Sequence, residues 1–386
     1  MSHKDSNSSV KTLVILLNMG GPQNKDEIHP YLKELFQDRE LLKLPFQKIL
    51  GRIIAWRRTP KIQERYEEIG QYSPTKKIMD EQCAEITKKL DAERPQSAPH
   101  LCLSGFRYCS PRTGEMIKKH KNAEKIILFS QYPQHSCATS GSSLCDAYRW
   151  LDKETDKSFQ NRISVIDQWW DRNDYSELWA MLIKRKFEEM KASHGLKDED
   201  IRIIYSAHSL PESYCLEKGD KYNEEITNSM DRIEKILVSW GLKHEGALAW
   251  QSKVGPQRTK WLTPSTPTVI AETKQKAILM VPIAFTTDHI ETLDEIDIEF
   301  RGYADEVVDH FERVDCFNME EKFIDLCTRL ITEHIESDYK SCIRPTCINC
   351  EGTDCASMRK YFKSYPISQR DLTSNSHEKA SAQLHQ

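Results

Sequence analysis

No apolar run in the 386-residue chain reaches the ~18 residues that a membrane-crossing helix needs. Basic charge is not in excess either: 55 Lys and Arg stand against 59 Asp and Glu, a net charge of -4. That balance gives no bulk positive field for nucleic acid. The early run LVILLNMGGP reads as too short and too late for a secretory h-region, and no small-residue cleavage site follows it. The opening stretch MSHKDSNSSV, residues 1–10, holds no Arg and reads as a flexible N-terminus rather than an organelle presequence. Phosphate-binding glycine patterns are absent too. LLNMGGP at 16–22 has neither GxGxxG nor a P-loop lysine, and Pro22 removes a backbone donor. Its glycines read instead as a tight strand-to-loop turn.

What the chain does contain is a recurring unit. Short runs rich in Val, Ile and Leu are each followed by a loop and a helix-like segment. The first half holds TLVILLNMGGP, HLCLSGFRY and KIILFSQYP; the second holds IRIIYSAHSLP, GALAWQSKVGP and KAILMVPIAF. Continuous apolar runs suit parallel strands covered on both faces, and their alternation with helices gives βαβ units. The expected fold is α/β, with two similar doubly wound domains over 11–190 and 191–335 and a crossing at the charged stretch 191–200. Residues 336–363 form an extension, and the polar segment 364–386 reads as a disordered tail.

In such sheets ligands bind beyond the carboxyl ends of the strands. His208 stands at one such end, although a lone histidine is as often structural. A second end runs into TTDHIETLDEIDIEF, 286–300, where Asp288, His289 and Glu291 follow a buried run at once. On an α-helix Glu291, Glu295 and Glu299 share one face. The plain alternative is an amphipathic helix with a wet acidic side. Clustered Asp, His and Glu beside a pocket are also ligands for a divalent first-row ion and proton acceptors.

Two further stretches carry chemistry. Residues 42–60, LKLPFQKILGRIIAWRRTP, interleave apolar and basic side chains and read either as a packed helix or as a segment touching lipid headgroups. Most of the 12 cysteines are scattered and read as small buried thiols, but Cys347, Cys350 and Cys355 have C-x2-C-x4-C spacing. Zinc and iron–sulfur centres both take four ligands, so a fourth must come from elsewhere, and spacing does not choose between them.

Seven ordered stretches, LNMGGP (17–22), RRTPKIQERY (57–66), GFRY (105–108), QYPQHSCATSGSSL (131–144), YSAHSLP (205–211), WQSKVGP (250–256) and VPIAFTTDHIETLDEIDIEF (281–300), together resemble ferrochelatase. The resemblance is to the animal mitochondrial, iron–sulfur type. It implies two Rossmann-like domains around a porphyrin cleft, and a lyase that inserts Fe2+ into protoporphyrin IX with release of two protons, the last step of haem biosynthesis. By resemblance, His208, Glu291, His289, Asp288 and Glu295 are the catalytic residues. Met19, Arg58, Tyr66, Arg107, Tyr132 and Trp261 hold the macrocycle. Cys137 joins Cys347, Cys350 and Cys355 around a 2Fe–2S cluster. The resemblance further implies a homodimer, a membrane-facing lip at about 42–60, and the matrix side of the mitochondrial inner membrane, a bacterial cytoplasm being the alternative. The competing functions are a tetrapyrrole chelatase for another divalent metal and a porphyrin or haem carrier without turnover.

Overall fold

The computed structural model describes residues 10–253, 258–337, 341–342 and 353–362. Its first lobe is built on β1 (Thr12–Asn18), β2 (His100–Phe106), β3 (Lys125–Ser130) and β4 (Ile163–Ile166), all parallel in the order β2-β1-β3-β4. The second repeats the plan with β5 (Ile201–His208), β6 (Glu245–Gln251), β7 (Ala277–Val281) and β8 (His310–Arg313), in the order β6-β5-β7-β8. A two-residue strand, β9 (Ser341–Cys342), then returns to the first sheet beside β4. All seven residues of β1 are buried, the signature of a strand covered on both faces. The six apolar runs read from sequence are β1, β2, β3, β5, β6 and β7. The additional β4 and β8 are only four residues each, and β8 carries His310, Glu312 and Arg313.

Helices flank both sheets. The first lobe has α1 (Lys25–Gln37), α2 (Gln47–Glu68), α3 (Thr75–Glu93), α4 (Thr113–Lys119), α5 (Ser142–Lys153) and α6 (Asn173–His194). After β5 come α7 (Glu212–Leu216), α8 (Tyr222–Ser239), α9 (Thr266–Ala271), α10 (Arg301–Ala304), α11 (Glu321–Glu336) and α12 (Thr353–Phe362). Two segments, Cys137–Gly141 and Glu291–Phe300, wind as π-helices. The crossing between lobes is short: α6 runs to His194, and Gly195 ends it in the left-handed region at φ 65.

The lobes exchange helices. From the first half, α6 packs on α8 and β7; from the second, α11 packs on α3 and β4. One apolar cluster therefore runs through both, joining Cys83 and Ile86 of α3 to Phe323 and Cys327 of α11. At this scale, burial at ~25 cal/mol per Å2 welds the halves into one body. Each strand order reverses once, between β1 and β3 and between β5 and β7, and such switch points open a crevice at the strand ends. Met19 follows β1 and His208 ends β5, so both stand at these points. The turn after β1 needs glycine: Gly20 has φ +81, and a Cβ there would meet Cys109 Sγ at 2.3 Å.

A buried polar knot also joins the lobes. Glu225 of α8 accepts from the His135 N–H at 2.8 Å and from Gln168 Nε2 at 2.6 Å. Nearby, His135 Nδ1 lies 2.6 Å from Asp167, and Asp220 accepts the Cys137 N–H at 2.8 Å. Burial pushes the Glu225 carboxyl up to about 8, against the pull of His135. Its ordinary value is 4.5, so the folded protein holds a proton that the unfolded chain releases. The stability tied to this proton is complete below about pH 4.5 and drains away as pH rises toward about 8. Glu225→Gln should flatten the pH dependence of Tm over that window by about 2 °C or more, read by differential scanning fluorimetry at stepped pH.

Candidate active site

Strands β5 and β6 end side by side, with His208 opposite Gln251. His208 Nδ1 sits 2.7 Å from the Ser209 carbonyl oxygen, which can only accept. The Nδ1 proton is therefore committed to the backbone, and in the neutral ring Nε2 keeps its lone pair. His208 lines a cleft of about 420 Å3 together with Glu291, Glu295 and Glu299. His208 and Glu291, read from separate strand ends in the sequence, both line this cleft.

Glu295 is the most tightly held of these carboxylates. One oxygen accepts the Ser252 N–H at 2.7 Å, and the other accepts Gln251 Nε2 at 3.2 Å and the Ser252 hydroxyl. Ser252 reaches this position with φ +61, in the left-handed region that disfavours a side chain. Behind it, Gln251 Oε1 accepts from Ser206 at 2.6 Å. Burial lifts the Glu295 carboxyl above its ordinary value, with the Ser252 bond and the charge of His208 opposing and the neighbouring Glu291 adding to the rise. Neither Gln251 nor Ser252 was singled out from the sequence; their role follows from strand register, although WQSKVGP was among the matching stretches.

The acidic segment differs from the α-helix expected. Residues 291–300 form a π-helix, whose widened turns still send Glu291, Glu295 and Glu299 to the cleft. Ile296 and Phe300 anchor it in the core beside Ile278 and Met280. Arg313 of β8 clamps both parts of the segment: Nε and Nη2 each meet Asp297 at 2.8 Å, and Nη1 meets Asp288 at 2.9 Å. Asp288 also accepts from Asn318 at 2.6 Å and from Thr292 at 3.0 Å. Burial alone would raise its carboxyl, but Arg313 and these bonds hold it below the usual range. Asp288 thus secures the start of the π-helix and is not among the residues that line the cleft. His289 lies with its ring edge-on to Phe285 and Nδ1 3.5 Å from Glu291.

The first lobe supplies the opposite wall. The Met19 N–H donates to the Tyr132 hydroxyl oxygen at 3.0 Å, which fixes both residues, and the Glu291 charge is felt at Tyr31, Tyr66 and Tyr132. Arg58 of α2 lines the cleft, stacks 5.6 Å over Phe36 and makes no salt bridge among the described residues. Lys61, Arg65 and Lys253 add positive charge to the same cleft. Arg107 is not brought there: its fork is spent on Asp38 and Asp146, each at 3.1 Å, and on Ser142. Trp261 pairs with Pro211 in an isolated antiparallel bridge and is not among the cleft residues.

The remaining candidates lie elsewhere. Cys137 begins the π-helix that leads into α5, and Cys355 lies on α12, which packs on α5; both thiols are buried. Cys355 Sγ is 3.4 Å from Cys145 Sγ. Cys347 and Cys350 fall outside the described residues, and among the described residues no group of three or more His, Cys, Asp or Glu is placed to hold a metal ion. On α2, Trp56 is 71% exposed and Phe46, just before it, 82%, with Ile49 and Ile53 between them on the same face. Among the described residues no helix is long and apolar enough to cross a membrane.

The chain is 40% identical over 362 residues to "Ferrochelatase, mitochondrial" of Gallus gallus, covering 91% of this chain and 87% of that one. It is 38% identical to the protein of the same name in Homo sapiens, over 92% and 84%, and 38% identical to that in Schizosaccharomyces pombe, over 92% and 83%. The solved structure of SirB from Bacillus subtilis with Fe3+ aligns at TM-score 0.48 and 10% identity, over 86% of this chain and 99% of its own. The family model described as Ferrochelatase matches residues 11–335, and the chain belongs to that family.

Proposed function

We infer that the protein is a protoporphyrin ferrochelatase, a lyase that inserts ferrous iron into protoporphyrin to form haem. The observation that supports this most directly is an imidazole whose Nε2 makes no hydrogen bond among the described residues and which lines one cleft, walled by both lobes, with Glu291 and Glu295. Metallation exchanges two pyrrole N–H protons for one Fe2+. His208 Nε2 accepts a pyrrole proton, and the negative charges of Glu295 and Glu291 stabilise the imidazolium that results. The fixed donors around Glu295 keep it from swinging away, so the field at the ring does not have to be rebuilt at each turnover. Glu291, Glu295 and Glu299 give hard oxygen sites along which the ion exchanges and protons leave. Arg58, a partly buried cation without an acidic partner among the described residues, suits a propionate at the rim, whereas Arg107 acts as a structural tie.

The relatives are named mitochondrial, which points to the mitochondrion for this chain. We assign it more narrowly to the matrix face of the inner membrane, as a homodimer. The stripe of Phe46, Ile49, Ile53 and Trp56, flanked by exposed Lys48 and Arg52, fits insertion at the headgroup boundary. A resident 2Fe–2S cluster rests on the resemblance together with the donor chemistry. Cys137 and Cys355 are buried thiols on neighbouring parts of one helical layer, and Cys347 and Cys350 complete a soft four-sulfur set. The cluster, when bound, supplies a one-electron centre and a covalent staple. The chain's own thiols tie its C-terminal segment to the first lobe.

Three measurements test these assignments. In an anaerobic assay with Fe2+ and protoporphyrin, His208→Ala should lower kcat by about 100-fold or more, while porphyrin binding by fluorescence quenching stays near the parent value. Retained turnover would remove the proton-acceptor role. The double change Phe46→Glu and Trp56→Glu should weaken co-sedimentation with phosphatidylglycerol vesicles by about tenfold or more, since each buried aromatic contributes ~1.5–3 kcal/mol. Cys137→Ser should abolish the visible absorption of the cluster and its bound sulfide and lower Tm.

A further inference from the structure

Arg65 lies on α2 two turns beyond Arg58 and one turn beyond Lys61, so the three share a face that looks into the cleft. Unlike Arg58, it is engaged. Its Nη1 is 2.9 Å from Asp294 Oδ2, and its Nη2 is 3.0 Å from Glu299 Oε2. Both acids belong to the π-helix of the opposite lobe, so one guanidinium spans the mouth between lobes. Asp294 is almost fully buried, with only 4% of its side chain exposed. Its Oδ2 nonetheless accepts no hydrogen bond, so charge alone holds it to Arg65. Glu299 is the last of the three cleft carboxylates along the segment, and its second oxygen takes a 3.3 Å contact from Tyr303.

Two carboxylate oxygens that converge on one cation within about 3 Å are the donors a divalent ion would use, and here a side chain stands in that place. We propose that Arg65 is a charge gate on the metal route: its guanidinium occupies the buried Asp294 and the cleft carboxylate Glu299 until an incoming divalent cation displaces it. Bound Arg65 repels a free ion from the line and neutralises its outer end. Displaced, it frees two oxygens for the ion and releases α2 from the π-helix at the same moment. Arg65 is thus a positioning residue that sets how readily metal enters; it does not take part in proton removal. The inference rests on the reading of the cleft as the site of metal insertion.

The test uses the full-length protein and the variants Arg65→Gln and Arg65→Lys, with two readouts. Titration of the porphyrin-free protein with Mn2+, followed by the loss of free-ion electron paramagnetic resonance signal, reports metal capture without any reaction. Steady-state insertion of Fe2+ separates KM for metal, KM for porphyrin and kcat. Arg65→Gln should tighten Mn2+ binding and lower the metal KM by about tenfold, with the porphyrin KM unchanged. Arg65→Lys keeps one charge but lacks the fork, reaches a single carboxylate and should fall between parent and Gln variant. Unchanged Mn2+ binding and metal KM in both variants, or a metal KM that rises, would overturn the gate and leave Arg65 a simple tie. If Arg65→Gln does not fold, Arg65→Lys alone decides by the same two readouts. A parent that binds Mn2+ without inserting iron would instead fault the functional reading, while the Mn2+ arm still judges the gate.

Discussion

The two-handed grip of Arg313 on Asp288 and Asp297 is the constraint on which the site depends. A ten-residue π-helix gives up the tighter hydrogen bonding of an α-helix, so something outside it must fix its register. The guanidinium does so from β8, inside the fold, where the charge-assisted bonds are short and poorly reached by water. Its effect is carried forward: with the segment's start and middle pinned, Glu291 and Glu295 can only face the cleft. Gln251 and Ser252 then catch Glu295 from the next strand, and His208 completes the arrangement from β5.

Much of this was legible from the chain alone because parallel strands end on one edge. A run of buried residues followed by His208, or by Asp288 to Glu291, marks a strand end whatever the tertiary details. The positions that stayed hidden are those whose meaning is set across space. Ser252 matters through an unusual backbone angle and a partner 43 residues away, and Arg65 through acids more than two hundred residues on. The partners of Arg107 were equally hidden: this basic side chain of a matching stretch is engaged by Asp38 and Asp146. The α-helical spacing of the glutamates was equally ambiguous, because the same acids meet the cleft on a wider winding. Strands β4 and β8 escaped notice because four residues hold too little periodicity to read.

Helix α2 links two environments on one continuous element, with Pro60 inside it. Its first turns carry the exposed apolar stripe and its later turns the cations of the cleft. At ~1.5 Å per residue its 22 residues reach ~33 Å, so the lip and the mouth are mechanically one piece. Arg65 ties the far end of that piece to the π-helix, which places the outer carboxylates, the mouth and the lip under a single contact.

The swapped helices have a bearing on biosynthesis. The apolar face of α3 is roofed by α11, and that of α8 by α6, so neither half of the chain owns its full complement of cover. A ribosome emitting the first lobe releases a sheet whose flank stays bare until residues near 330 have cleared the exit tunnel. Maturation is for that reason a late, concerted event, and a nascent chain cut short in the second half leaves sticky surface on both sides of the break.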